Sequence, residues 1–120
     1  MRVAGLGFRG AATFESLNDA LERAGGNVEA LATAEVKAGL PAVRILAKAL
    51  RLPLHGISRA AMAAQETLTH SPKVEEKFGT GSVAEAAALA LAGPGGRLVG
   101  PRVVSGDGLA TAAIAERDGV

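Results

Sequence analysis

Residues 3–16 read VAGLGFRGAATFES, and they hold the chain's most suggestive chemistry. Gly5, Gly7 and Gly10 keep the G-x-G-x-x-G spacing between a short apolar run and Thr13, a residue suited to capping a helix. Loop glycines let backbone N–H groups approach a ligand, and a helix start favours negative charge. The pattern predicts a site for phosphate or carboxylate near the N-terminus. Phe8 and Arg9 lie inside the motif, and a guanidinium there can grip a carboxylate through two hydrogen bonds. Thr13 and Thr33 would add hydroxyls, Lys37 a second cation, and Ser82 the N–H groups of another helix start. Arg102 is a further cation whose strand direction the sequence leaves open.

Catalysis would need a base or nucleophile with an orienting partner. The only histidines are His55 and His70. His55 follows an apolar run and is the better base; Glu35 is the other candidate, and His70 falls in an irregular stretch. Glu85, three residues after Ser82, is expected to complete a capping box. The chain has no cysteine. With only two isolated histidines as well, neither a metal site nor a disulfide is expected. No cofactor is expected either.

The elements that must position these groups alternate strand and helix. Strands are expected at residues 2–6, 31–36 and 52–57, from their short apolar runs. A helix over 13–24 carries Phe14, Leu17, Ala20, Leu21 and Ala24 at helical spacing and stops at Gly25-Gly26. Pro41 starts the next helix, with Val43, Ile45, Leu46, Ala49 and Leu50 as its apolar face. Ser58 caps a short helix over 59–65. Residues 66–80 read as polar and irregular, and Ser82 caps an alanine-rich helix ended by Gly93-Pro94-Gly95-Gly96. Two strand-like runs, 98–104 and 109–115, flank Ser105-Gly106-Asp107-Gly108, a hairpin signal. The expectation is one α/β domain over 1–120, of three layers. A mixed, mostly parallel sheet carries helices on both faces and a C-terminal β-hairpin.

Composition narrows the classes. Net charge is +1 and aromatics make up 2% of the 120 residues, which argues against a nucleic-acid interface. No apolar run is long enough to span a membrane, and the N-terminus lacks a signal-peptide pattern, so a cytoplasmic protein is expected. Three readings of the glycine motif stay open. One is a nucleotide site of Rossmann type, with Glu35 as the ribose acid. The second is a tight turn with no ligand. The third is a site for another polyanion. Against the first stand the chain's length, the bulk of Phe8-Arg9 and a helix that starts late.

The residues also carry a family resemblance. GLGFRG resembles the opening of the CobE/CbiG C-terminal domain family of cobalamin biosynthesis. LATAEVK at 31–37 is similar to that family's second-strand pattern. Leu52-Pro53-Leu54, SPKVE at 71–75, GSVAEAAAL at 81–89 and Pro101-Arg102 resemble later blocks in the same order, with AAIA at 112–115 in the last strand. Two departures stand out: Ala38-Gly39-Leu40 replaces acids after Lys37, and Arg102 replaces a lysine. The resemblance implies a stand-alone CobE-like protein that binds a precorrin or corrinoid intermediate as a carrier or accessory. Other enzymes of the pathway would be its partners. Its ligand edge would combine Gly5, Gly7, Phe8, Arg9, Gly10, Thr13, Thr33, Lys37 and Ser82. The longer CbiG proteins open a lactone on a cobalt-precorrin and release acetaldehyde. That hydrolase activity is the alternative, with His55 and Glu35 as its candidates. A homodimer is compatible with this reading, although no apolar stripe marks an interface for one.

Overall fold

The computed structural model describes residues 1–119. The chain runs β1 (Arg2–Phe8), α1 (Phe14–Arg23), β2 (Ala30–Ala34), a 3₁₀ turn (Glu35–Lys37), α2 (Pro41–Leu50) and β3 (Leu54–Ile57). Next come α3 (Arg59–Ala63), α4 (Pro72–Phe78) and α5 (Val83–Ala92), then β4 (Arg97–Leu98), β5 (Val103–Val104) and β6 (Ala110–Glu116). The sheet order is β3-β2-β1-β6-β4, with β5 also on β6. β1, β2 and β3 pair in parallel, while β1, β4 and β5 each pair antiparallel to β6. Five strands therefore run one way and β6 alone is reversed. This is the mixed, mostly parallel α/β sheet that the alternation of elements predicts.

Local chemistry explains most boundaries. The Thr13 side chain accepts a hydrogen bond from the Ser16 N–H at 3.3 Å, and Ser16 Oγ accepts from the Thr13 N–H at 3.2 Å. This reciprocal cap fixes the start of α1. Pro41 opens α2, where its missing N–H costs nothing. Gly26, at positive φ, closes α1 by donating its N–H to the Leu21 carbonyl at 3.0 Å.

Alternation along β1 divides the core. Ala4, Leu6 and Phe8 join Leu17, Leu21, Leu31, Val43, Leu46 and Ile114 beneath α1 and α2. Val3 packs with Ala88 and Ala92 of α5 and with Ala115 of β6. Met62 of α3 packs with Val83 and Ala86 on the α5 side. The two helical layers and the sheet between them are the expected three layers.

Three expectations are corrected. The first strand runs to Phe8 rather than Leu6, so Gly5 and Gly7 lie within β1 and not in a loop. A Cβ on Gly5 would sit 1.9 Å from the Ala84 carbonyl oxygen and 2.6 Å from the Ala88 nitrogen. The glycine is there so that α5 can lie against the strand. The irregular stretch over 66–80 contains α4, capped by Ser71, opened by Pro72 and closed by Gly79 at φ 73°. The single strand expected over 98–104 is split into β4 and β5 by Gly100-Pro101. Pro101 has no N–H for the ladder.

The hairpin between β5 and β6 is held from inside. Asp107 Oδ1 accepts from Ser105 Oγ at 2.6 Å and from the Leu109 N–H at 3.0 Å; Oδ2 accepts from Ser16 Oγ at 2.6 Å. The Ser105 and Ser16 hydroxyls, with the Leu109 N–H, pull the Asp107 carboxyl down to about 2 from an ordinary 3.8. Its stabilising effect is therefore complete above pH 3.8 and lost as pH falls toward 2. Asp107→Ala is expected to lower the melting temperature at pH 7, and the gap from wild type should shrink toward pH 2. A gap that is the same at both pH values would contradict this role.

The first residue and the end of β6 meet at one edge of the sheet. The Met1 ammonium donates to the Arg117 carbonyl at 3.0 Å, beside the β1–β6 pairing that joins Arg2 to Glu116.

Candidate functional site

The opposite edge, where the parallel strands end, holds a cleft of about 540 Å³. Strand polarity puts the end of β1, the turn after β2 and the start of β6 at this edge, the usual ligand edge of α/β sheets. Gly7, Phe8, Arg9 and Gly10 supply one side, Lys37 the floor, and Ser71, Lys73, Val74, Lys77 and Phe78 the α4 side. Arg102, Val104, Leu109, Ala110 and Thr111 complete it with Val83 and Gly108.

Five of the lining residues are cations (Arg9, Lys37, Lys73, Lys77 and Arg102) and none is a carboxylate. The ion pairs among the described residues lie elsewhere: Arg2 with Glu116, Arg23 with Asp19, and Arg97 with Asp118. The cleft cations are thus free to engage an anion. Phe8, Val74, Phe78, Val83 and Leu109 give the same cleft an apolar surface.

Lys37 is half-buried. Its Nζ donates to the Phe8 carbonyl and lies 4.9 Å from the centre of the Phe8 ring and 5.8 Å from that of Phe78. The two rings offer it cation–π attraction. Burial, reinforced by the neighbouring Lys77 charge, holds its ammonium below the usual lysine range. An incoming carboxylate would relieve that repulsion.

Glu85 holds the backbone of Arg102, a cleft residue, together with that of Leu68 and Thr69, without itself lining the cleft. Its carboxylate is fully buried. It accepts from the N–H groups of Leu68 (2.7 Å), Thr69 (2.9 Å) and Arg102 (2.8 Å), and from Thr69 Oγ1 (2.6 Å). Burial opposes its ionisation, but the Thr69 hydroxyl and the three N–H groups more than offset this and hold the carboxyl below its ordinary value. The capping box expected here is therefore half formed. Ser82 Oγ accepts from the Glu85 N–H at 3.2 Å, while the Glu85 side chain reaches long-range partners instead.

Of the residues singled out from sequence, Gly7, Phe8, Arg9, Gly10 and Lys37 come together in the cleft. Gly5 is buried beneath α5. Thr33 is buried and donates Oγ1 to the Leu6 carbonyl at 2.7 Å, tying β2 to β1. Thr13 and Ser82 serve as helix caps outside the lining. His55 is exposed on the edge strand β3, Glu35 is exposed in the 3₁₀ turn, and His70 is exposed before α4; none lines the cleft. Lys73, Lys77 and Phe78 were not legible as site residues because α4 was not. The Ser71-Pro72 start and Gly79 stop are the signal that marks it. Among the described residues, no three His, Cys, Asp or Glu side chains converge as metal ligands, and no helix is long and apolar enough to cross a membrane.

Comparison with known proteins shows the family and the fold. The family described as cobalamin synthesis G C-terminus matches residues 2–115. The crystal structure of CobE, a protein from the cobalamin biosynthetic pathway, is similar with a TM-score of 0.86 and 34% identity; the match covers 96% of this chain and 89% of that one. The cobalamin biosynthesis protein chiG from Agrobacterium tumefaciens str. C58 is similar with a TM-score of 0.74 and 34% identity, over 99% of this chain and 100% of that one. No curated protein matches at a significant level. From the glycine-bearing strand to the last one, the chain belongs to the CobE/CbiG C-terminal family of cobalamin biosynthesis proteins.

Proposed function

We propose that the cleft binds a precorrin or corrinoid intermediate and that the chain serves as its carrier or accessory. The observation behind this reading is the lining itself: five cations, no carboxylate and the apolar surface of Phe8, Val74, Phe78, Val83 and Leu109 in one cavity. Such macrocycles are broad and partly apolar, with acetate and propionate carboxylates around the rim. Arg9 and Arg102 meet that rim from the sheet side, and Lys73 and Lys77 from α4. Lys37 waits between them. The carrier reading is favoured over lactone hydrolysis because both candidate bases, His55 and Glu35, lie outside the lining.

Titration with hydrogenobyrinic acid, followed by visible absorbance and calorimetry, tests the proposal, with NAD and ATP as controls. Saturable micromolar binding is expected. It should weaken about five-fold in Arg9→Ala and in Lys73→Ala, each loss being a partly exposed charge contact. It should also fall as salt rises. Tight nucleotide binding without corrinoid binding would overturn the proposal in favour of a phosphate site.

A further inference from the structure

We infer that the cleft holds its macrocycle by the rim and gives no ligand to a metal at the centre, so that cobalt-free and cobalt-containing forms bind alike. This rests on the proposed function and adds what the site selects for. The side chains best suited to ligate a first-row metal such as cobalt at an axial position are nitrogen and sulfur donors: imidazole, thioether and thiolate. The cleft lining contains no histidine, methionine or cysteine. Both histidines lie elsewhere, His55 on the edge strand and His70 beside Gly81. Met62 is buried against α5, and Met1 is at the opposite edge of the sheet.

Burial, with the nearby Lys77 charge, makes the Lys37 nitrogen easier to deprotonate. Its position keeps it from the centre. Nζ donates to the Phe8 carbonyl and rests over the Phe8 ring. As an ammonium it has no lone pair for a metal, and the Phe8 carbonyl and ring hold it in that form's donor role. The other cations act on the carboxylates, which are the same whether or not cobalt is present.

The test compares hydrogenobyrinic acid with aquacyanocobyrinic acid, which carries the same acid rim around cobalt and has one displaceable water. Wild type and Lys37→Arg are titrated with both, their folding checked by circular dichroism. Dissociation constants for the two acids should agree within about threefold in each protein. The cobalt complex should keep its visible bands on binding. A band shift showing that a protein donor has replaced the water would overturn the inference, as would a tenfold preference for either acid. Loss of such a shift in Lys37→Arg or in His70→Ala would name the donor. Those outcomes leave the carrier reading standing. If neither acid binds, both fail.

Discussion

Gly5→Ala should unfold at a much lower denaturant concentration than wild type, with a stability loss of about 3 kcal/mol or more. A Cβ at this position meets the Ala84 carbonyl oxygen at 1.9 Å and the Ala88 nitrogen at 2.6 Å, both of them backbone atoms of α5. No rotamer change relieves such a contact. The helix must lift off the sheet, and the close packing of Val3, Ala88, Ala92 and Ala115 beneath it opens. Gly10→Ala is the control. Nothing lies within 4 Å of a Cβ there, and the residue has no positive φ, so its stability should stay within about 0.5 kcal/mol of wild type. Urea denaturation of both variants separates the two roles. Equal, small effects would mean that α5 is not held at the spacing described.

Glu85→Gln has the next largest expected effect, a loss of about 2–4 kcal/mol at pH 7. The carboxylate serves four donors, and an amide replaces one oxygen with a donor of its own. Either orientation then sets an NH₂ group against N–H partners from Leu68 and Thr69 or from Arg102. The residue is fully buried, so water cannot take over. The sign of the pH dependence follows from its lowered pKa. Wild-type stabilisation from Glu85 is complete above the ordinary value of 4.5 and is lost as pH falls through the lower folded value. The gap between wild type and Glu85→Gln should therefore be widest near neutrality and narrow below pH 4.5. Chemical denaturation at several pH values checks this. A gap that widens in acid would show that Glu85 is not ionised in the folded chain.

These two residues also show what the sequence could and could not reveal. Thr13-Ser16, Pro41 and Gly26 act through neighbours a few positions away, as Asp107 does through Ser105 and Leu109, and their elements were readable from local spacing. Gly5 was not, because a glycine in a turn and a glycine under a helix look the same along the chain; only the partner, 79 and 83 positions later at Ala84 and Ala88, distinguishes them. Glu85 misled for the same reason. Its spacing from Ser82 fits a local cap, but a buried carboxylate takes the strongest donors within reach, here from Leu68, Thr69 and Arg102. Helix α4 is seven residues long, and its apolar side is only the pair Val74 and Phe78, too short a stripe to read. Part of the cleft was therefore visible beforehand: Gly7 to Gly10 and Lys37 lie near the ends of strands that the pattern located to within two residues. The α4 side was hidden.

The reversed strand β6 brings the last residues of the domain back beside the first, with the Met1 ammonium on the Arg117 carbonyl. Both ends thus leave from one side of the molecule, while the cleft opens at the far side. Polypeptide attached before Met1 or after the final strand would extend away from the ligand edge. The geometry makes this domain a portable unit: the same binding edge can be used by a short free-standing chain or at the end of a longer one, without rebuilding a single cleft residue.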